Sequence, residues 1–331
     1  MPQTFARTQV GVREDLADKI YLIDAKDTPM LSTVPKGQAL VNPLFDWQVD
    51  AYNTPDTSGV VDGTDVSSTI NSAANRLRIQ GRCQKIRRAP KVSDFTEITD
   101  VAGIGVGKEF ARAIAQETIV AKRSVECVLG SDTDSQADNG TAANLTRGLG
   151  KWAQATNYSD LPLGNTAFLT SSASIDATAM ASFTLATLNG VMESQYLQTG
   201  KVQSYMLVVG STLKKTITNA VGYQPTVANQ TAILRSNRGD EGSWSNNIQS
   251  FTGDFGTYDL VVSNWLGYSG GTSNVYRGYA FDPMNLELRM NKPWNFRELE
   301  DQGGGRRGII ECIFGFMVKN PLGLAKFAAS S

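Results

Sequence analysis

The sequence predicts a mixed α+β fold, and three features carry that prediction. A long amphipathic helix is expected at residues 106–129, a two-stranded antiparallel ribbon within residues 38–92, and two alternating strands after residue 281. Apolar residues spaced three or four apart are typical of a helix packed on one side, whereas strict alternation is typical of a strand with one buried face.

The ribbon is predicted from two segments whose polar faces differ in charge. In FDWQVD (45–50) apolar residues alternate with a polar set that includes two aspartates, and in RLRIQGRCQKIRR (76–88) every charged residue is basic. A tip of about 25 residues, 51–75, joins them, and loops of that length usually have a function or are disordered. The basic strand is interpreted either as a solvated face or as a strip that docks on another chain. Nucleic-acid binding is disfavoured because the ribbon has few aromatic residues for base stacking.

The helix is predicted from an apolar stripe that no proline interrupts, and no glycine after Gly107. Gly130 stands where a helix of this length is expected to end. Such a stripe predicts a helix that packs along one side of a lobe. The stripe consists of Val106, Phe110, Ala113, Ile114, Ala121, Val125 and Val128.

The stretch GIGVGKEF (103–110) is similar to a phosphate-binding loop but does not meet its requirements. The template needs a glycine where Ala102 stands, and a serine or threonine for magnesium where Glu109 stands. The dinucleotide fingerprint fails as well, because its third glycine would fall on Lys108. The preceding FTEITDVA (95–102) has some strand character, so the context alone does not exclude a nucleotide site. Because both templates fail, the glycines are expected to lead the chain from a loop into the helix. An enzyme that uses a nucleotide, the hypothesis based on this stretch alone, is therefore disfavoured.

Composition excludes several other classes of function. The 331 residues include no histidine and three cysteines far apart in sequence, which removes histidine-based catalysis and zinc sites with four cysteines. The net charge of −1 lacks the basic excess typical of proteins that hold nucleic acid by its phosphates. Asp132 and Asp134 have the spacing of a calcium loop, but the required glycine and glutamate are alanines. No catalytic, cofactor-binding or metal site is predicted, no cofactor is expected, and no segment has the length and apolarity of a membrane span.

The order of these parts resembles the major capsid proteins of tailed bacteriophages with the HK97-like fold. The resemblance rests on YLIDAKDTPMLSTVPKG (21–37), on FDWQVD (45–50), and on EFARAIAQETIVAKRSVECVLG (109–130) followed by RGLGKW and ATN (147–157). It extends in order over nearly the whole chain, although residues 166–280 match in their alternation of helices and strands more than in motif.

The resemblance implies a division of the chain into five parts. The arm would lie on a neighbouring subunit, and the E-loop would reach over the adjacent one. The parts are an N-terminal arm at 1–37, an E-loop ribbon at 38–92, a peripheral domain at 93–165 with its spine helix at 106–129, an axial domain at 166–280, and C-terminal strands of the peripheral domain at 281–331.

The resemblance also implies a structural function. The protein would assemble with copies of itself, as hexamers and pentamers, into an icosahedral shell that encloses phage double-stranded DNA without sequence-specific binding. A portal protein, a separate scaffolding protein and a decoration protein are expected partners. Assembly is expected in the host cytoplasm, with the protein ending in the virion. Because the sequence starts at Met1 without room for a scaffold domain, no cleaved one is expected, and no covalent crosslink between subunits is expected either.

Side chains of the ribbon are the predicted contacts between subunits. They are Trp47 and Asp50 on the first strand, and Arg76, Arg78, Arg87 and Arg88 on the second. Two alternatives remain beside the capsid and the nucleotide enzyme. An encapsulin-type shell has the same fold but encloses a cargo enzyme, and a tail or adhesion protein is disfavoured because there is no internal repeat.

Overall fold

The structure of the protein is a computed structural model. It describes residues 27–52, 55–65, 76–156, 158, 168–224, 233–234, 237–238, 244–245, 248–268 and 274–328. The predicted N-terminal arm before residue 27, and residues 53–54 and 66–75 of the predicted ribbon tip, lie outside the described residues.

The α-helices of the described residues are α1 Pro29–Thr33, α2 Asp94–Ile98, α3 Glu109–Leu129, α4 Leu149–Trp152, α5 Leu185–Thr199 and α6 Ser211–Gly222. The strands are β1 Leu44–Val49, β2 Leu77–Arg88, β3 Ile175–Asp176, β4 Gln203–Val209, β5 Tyr223–Gln224, β6 Ile233–Leu234, β7 Asn237–Arg238, β8 Trp244–Ser245, β9 Ser250–Gly253, β10 Gly256–Val262, β11 Arg277–Phe281, β12 Leu286–Leu299, β13 Arg307–Val318 and β14 Ala325–Ala328. None of these helices combines the length and the apolar character that a membrane span requires.

The described chain divides into two compact units. One comprises Arg87–Ala121 and Trp294–Glu311, and the other comprises the described parts of Asp27–Ile86, Lys122–Pro293 and Cys312–Ser331. Helix α3 and strands β2, β12 and β13 contribute residues to both units.

The predicted long helix is present, but it starts later than the sequence suggests. Helix α3 begins at Glu109, and its buried positions follow the predicted stripe at Phe110, Ala121 and Val125. Val106 is excluded from the helix and is 57% exposed, because Gly107 has a φ of 75° that a right-handed helix cannot contain. The helix is about 32 Å long at 1.5 Å per residue.

A six-stranded sheet forms the core of the larger unit. Its strand order is β3-β14-β11-β4-β10-β9, with β4 and β10 parallel and β11 antiparallel to β4. The predicted buried strand β4 places Leu207 and Val209 against Leu188 of α5 and Leu213 of α6 in one apolar cluster. Residues 185–222 therefore alternate helix, strand and helix as predicted, and the elements of the described residues from 223 to 281 are strands.

A four-stranded sheet contains the ribbon and the C-terminal strands in the order β1-β2-β13-β12. Along β13 the residues predicted to share one face are at most 3% exposed, which confirms the alternation. They are Ile310, Cys312, Phe314, Phe316 and Val318. Strand β13 is also buried at Gly315 and Met317 on its other face, as expected for a central strand.

The start of the described chain runs along its own subunit. Leu288 N–H donates to the Pro35 carbonyl, and Gly37 N–H donates to the Leu288 carbonyl, both at 2.9 Å. Leu40 N–H likewise donates to the Met290 carbonyl at 3.1 Å. These hydrogen bonds dock residues 35–40 beside β12 of the same chain, and the expectation that the arm lies on a neighbouring subunit stays a prediction.

The glycine stretch before α3 is a sequence of tight turns. Gly103, Gly105 and Gly107 have φ angles of 80°, 78° and 75°, which L-residues with a Cβ rarely adopt. The segment before it contains no strand, since α2 occupies Asp94–Ile98 and residues 99–102 are turn and coil, which corrects the strand character expected for 95–102. Helix α2 starts there because Ser93 Oγ accepts the N–H of Thr96 as an N-cap.

Two glycines with similar φ angles are predicted to respond differently to alanine. Gly105→Ala, at φ 78° with open space around the added Cβ, should destabilise the protein by about 1–2 kcal/mol. Gly305→Ala, at φ 95°, should cost more because its Cβ would lie 2.1 Å from the Val92 carbonyl oxygen. Denaturant unfolding of both variants checks this order, and equal losses would contradict the steric argument.

Candidate intersubunit surface

The ribbon is formed by β1 and the first half of β2, paired antiparallel with Leu44 opposite Arg82 and Val49 opposite Leu77. In this register Phe45 faces Gly81, where an added Cβ would lie 2.4 Å from the phenyl ring. The absence of a side chain at Gly81 therefore lets the Phe45 ring lie flat on the sheet. The predicted acidic and basic strands are thus direct neighbours in one ribbon.

The predicted contact residues Arg76 and Arg78 form ion pairs with an aspartate of β1 and with one just after its end, across the polar face of the ribbon. Asp46 accepts hydrogen bonds from the Arg78 guanidinium, with Nε at 2.8 Å, and Asp50 Oδ2 lies 3.2 Å from Arg76 Nη2. The side chains of Arg76 and Arg78 remain 66% and 59% exposed. Exposed pairs of this kind contribute about 0–1 kcal/mol, so they orient the arginines more than they stabilise the fold. The face presented to solvent alternates in charge and is not a uniformly basic strip.

Trp47 lies on the apolar face of the ribbon and packs inside its own subunit. Its ring centroid is 5.8 Å from that of Phe45 and 5.6 Å from that of Trp152. The side chain is half-buried. A contact of Trp47 with another subunit stays a prediction, and only the exposed part of the side chain could make it.

The two remaining predicted contacts lie at the end of β2, in the smaller unit. Arg87 Nε donates to Glu311 Oε1 at 2.7 Å, while its side chain stays 55% exposed. Arg88 is half-buried. The hydrogen bond to Glu311 therefore fixes the orientation of the Arg87 guanidinium, which stays accessible to a neighbouring subunit.

Several apolar side chains of the described residues are exposed. In the part of the tip that is described, Tyr52, Val60 and Val61 are 65% exposed or more. In the smaller unit, Phe95 and Ile98 of α2 are 82% and 69% exposed. Apolar surface of this kind is typical of proteins that associate.

The acidic loop after α3 binds basic side chains of the same chain. Asp132 lies 2.6 Å from Lys326 Nζ and 2.6 Å from Arg277 Nη2. Asp134 accepts the Nε–H of Arg147 at 2.8 Å. The two carboxylates that have calcium-loop spacing thus serve as internal ion-pair partners.

Sequence reasoning missed the two charged side chains that the fold buries most deeply. Arg147 is 2% exposed, and its guanidinium lies 4.7 Å and 4.5 Å from the ring centroids of Trp152 and Tyr158. Glu126 is 1% exposed on the buried side of α3. The glutamate stands between apolar stripe positions, a signal that was available, whereas nothing in the spacing around Arg147 marks it as buried.

The surroundings of the buried thiols of Cys83 and Cys312 make them poor nucleophiles. Burial raises the pKa of Cys83 to about 11 and that of Cys312 to about 12. Neither side chain is a thiolate at neutral pH, so these cysteines have the properties of core residues and not of nucleophiles.

Solved phage structures share this fold across almost the whole chain. A chain from Mycobacterium phage Cain superposes with a TM-score of 0.61 at 12% identity, covering 99% of each chain. A chain from Gordonia phage Cozz gives 0.61 at 13% identity, covering 97% of this chain and 92% of that one. The capsid structure of the cyanophage P-SCSP1u gives 0.55 at 12% identity, covering 100% and 93%. These matches confirm the predicted HK97-like fold.

Family comparison extends the structural likeness to function. No curated protein matches the sequence. The model of the SU10 major capsid protein family matches residues 2–330. Because that match spans nearly the whole chain, the protein is a structural component of a phage capsid, and it belongs to the SU10 major capsid protein family.

Proposed function

We propose that this capsid protein assembles as hexamers and pentamers into an icosahedral shell that encloses phage double-stranded DNA. The observation that carries the proposal is the family match over residues 2–330, since a major capsid protein is a shell subunit by definition. Closed symmetry multiplies modest contacts between identical subunits into a stable shell. The net charge of −1 is consistent with a protein shell that encloses DNA without binding its phosphates tightly. The family match favours this function over the encapsulin alternative.

The finer expectations belong to the same proposal. The protein has no catalytic activity, it is assembled in the host cytoplasm, and it meets a portal protein, a separate scaffolding protein and a decoration protein. Its parts are an N-terminal arm at 1–37, an E-loop ribbon at 38–92, a peripheral domain at 93–165 and 281–331, and an axial domain at 166–280. The exposed apolar side chains of the described tip support a ribbon that reaches another subunit.

Electron microscopy of the purified full-length chain tests the proposal. Shells with five-fold and six-fold clusters of subunits are expected, alone or on adding a scaffolding protein. Particles isolated from infected cells should release double-stranded DNA on disruption, and an enclosed enzyme in place of DNA would indicate the encapsulin type. A monodisperse monomer under all these conditions would count against shell assembly.

We propose that the arginines of β2, with Asp50 and the exposed part of Trp47, contact the neighbouring subunit. For Arg87 the support is an exposed guanidinium that its own chain orients, because a pre-oriented charge steers association and fixes register. Arg88 is included as its neighbour on the same strand. Residues at such positions are expected to affect assembly more than the stability of one subunit.

Reversing both charges, Arg87→Glu with Arg88→Glu, is predicted to abolish most shell assembly, because like charges across an interface cost several kcal/mol. Subunit stability should fall as well, because the Glu311 side chain is only 9% exposed and would face a like charge, so assembly is compared at equal folding. Light scattering and electron microscopy measure assembly, and circular dichroism measures folding.

The control for this variant separates an effect within the subunit from one between subunits. Adding Glu311→Arg gives the new glutamate at position 87 a cationic partner in place of the lost pair. Assembly should stay impaired in the triple variant if the arginines meet a neighbour. Recovery of normal shells would instead assign the defect to the pair within the subunit and refute the predicted contact.

A further inference from the structure

The loop between α3 and α4 contains an Asn-Gly pair that is open to water. Asn139 and Gly140 are both exposed. The loop is held by its own backbone, since Gln136 and Leu145 exchange two N–H to carbonyl hydrogen bonds, at 3.2 Å and 3.0 Å. Asn139 N–H also donates to the Ala142 carbonyl at 3.2 Å. The pair therefore has a defined geometry at a position that water can reach.

Two backbone N–H groups bind the side-chain carbonyl of Asn139. Thr141 N–H donates to Asn139 Oδ1 at 3.0 Å, and Ala142 N–H donates to the same oxygen at 2.7 Å. Since both partners are donors, the atom that they bind is the oxygen, and the amide Nδ2 points away from them. Donors at this distance stabilise the negative charge that a carbonyl oxygen acquires when its carbon is attacked. The carbon Cγ of Asn139 is therefore an activated electrophile.

The nucleophile beside this carbon is the backbone nitrogen of Gly140, and a carboxylate accepts its hydrogen. Gly140 N–H donates to Asp138 Oδ1 at 2.8 Å, which is within the reach required of a general base. Because Gly140 has no side chain, no Cβ shields its nitrogen. Three consecutive residues thus supply a base, an electrophile and a nucleophile.

We propose that Asn139 is a self-modification site, at which the folded loop promotes conversion of the side-chain amide into a carboxylate. The Gly140 nitrogen forms a bond to Asn139 Cγ as its proton passes to Asp138 Oδ1, and the Cγ–Nδ2 bond breaks. The leaving nitrogen takes up that proton and departs as ammonia, which leaves a five-membered succinimide ring. One water molecule then opens the ring at either carbonyl and gives aspartate or isoaspartate at position 139.

The second Asn-Gly pair of the sequence lies in a different environment. Asn189 and Gly190 are in the middle of α5, Leu185–Thr199. In a helix the N–H of a residue at this position donates to the backbone carbonyl four residues earlier, so no carboxylate accepts it. Asn189 Oδ1 is buried and has no hydrogen-bond partner in the part of the chain that the structure describes. The same dipeptide here lacks both the base and the two donors.

The modification would change the charge of an exposed surface. Each event replaces a neutral amide by a carboxylate, which lowers the net charge of the subunit by one unit from −1. The new carboxylate would lie beside that of Asp138, and like charges at this distance repel each other. The reaction takes place within a single subunit, so it does not depend on how the shell is assembled.

Peptide mapping by mass spectrometry tests the site on the full-length chain. The protein is incubated at neutral pH in buffer and, as an unfolded reference, in guanidinium chloride. The readout is the fraction of each Asn-Gly peptide that has the mass of the acid, with isoaspartate identified by enzymatic methylation. Asn139 should convert about threefold faster or more in the folded chain, because unfolding removes the two donors and the base. Asn189 should convert more slowly in the folded chain than in the unfolded one.

Asp138→Ala tests the base. It should slow the conversion of Asn139 in the folded chain by about threefold to tenfold, less than a general base contributes in an enclosed active site. The conversion of Asn189 should stay as in the wild type. Asn139→Gln keeps the amide but would require a six-membered ring, so no acid is expected at position 139 over the same time. Circular dichroism verifies that both variants are folded.

Two outcomes would overturn the proposal. If Asn139 converts no faster in the folded chain than in the unfolded one, the loop adds nothing to the dipeptide. If the folded Asp138→Ala variant converts at the wild-type rate, the carboxylate is not the base. The comparison of folded and unfolded wild type needs no variant, so it decides the question even where a variant fails to fold.

Discussion

Arg147→Ala is expected to lower the free energy of unfolding by about 3–5 kcal/mol, because it truncates a large side chain that is only 2% exposed and leaves a cavity. The guanidinium donates to Asp134 Oδ1 at 2.8 Å and lies over the rings of Trp152 and Tyr158, which pack against each other. Its loss leaves a cavity beside these two rings and leaves Asp134 without its closest cation. Cation–π contacts that are shielded from water add to the cost.

The matched control is Lys151→Ala, which removes a second cation from the same carboxylate. Lys151 Nζ lies 3.6 Å from Asp134 Oδ2, and its side chain is 34% exposed, so the expected loss is below about 1 kcal/mol. Urea unfolding followed by tryptophan fluorescence measures both variants. Similar losses for the two would show that the burial of Arg147 contributes nothing beyond a surface ion pair.

The Arg147 pair also gives the protein an acid-dependent part of its stability. Burial by itself would raise the pKa of Asp134, but the hydrogen bond and charge of Arg147 outweigh it and hold the pKa below its usual value. The pair therefore stabilises the folded protein at pH values above the ordinary aspartate pKa. This contribution is lost as the pH falls through the lowered pKa of Asp134.

Phe327→Ala is the second change with a large expected effect, a loss of about 3–5 kcal/mol in the free energy of unfolding. Phe327 is 0% exposed on β14, and its ring meets the edge of Phe183 at a centroid distance of 6.1 Å. Both belong to the apolar cluster of the six-stranded sheet. Truncation removes the buried apolar surface, the aromatic contact and the dense packing of its neighbours at once.

Phe95→Ala is the same substitution at a surface position and serves as the control. Phe95 is 82% exposed on α2, so its truncation should change the free energy of unfolding by about 0.5 kcal/mol or less. Denaturant titrations of both variants under one condition give the comparison. Equal losses at the two positions would contradict the assignment of Phe327 to the core.

Periodicity in the sequence predicted the elements whose neighbours are local. The apolar stripe of α3, the alternation along β13 and the paired segments of the ribbon were all recognisable, because helix and strand periods place side chains on one face without further information. The start of α3 was predicted three residues early, since the stripe included Val106 while the φ angle of Gly107 already prevented the helix.

The pairing of distant residues could not be predicted in the same way. Asp46 and Arg78 were recognised as charged residues on two strands, but their ion pair depends on the register of the ribbon. The docking of residues 35–40 beside β12 depends on backbone hydrogen bonds, which carry no side-chain signature. For this reason the docking of residues 35–40 beside β12 could not be predicted from the sequence.

The sequence by itself determined the class of the fold, the long helix, the ribbon and the absence of histidine chemistry, because these follow from composition and from periods of two and 3.6 residues. Only the tertiary structure decided that Glu126 and Arg147 are buried and which groups they bind. The physical reason is that the energy of a charge depends on its surroundings, which are assembled from segments far apart in the chain.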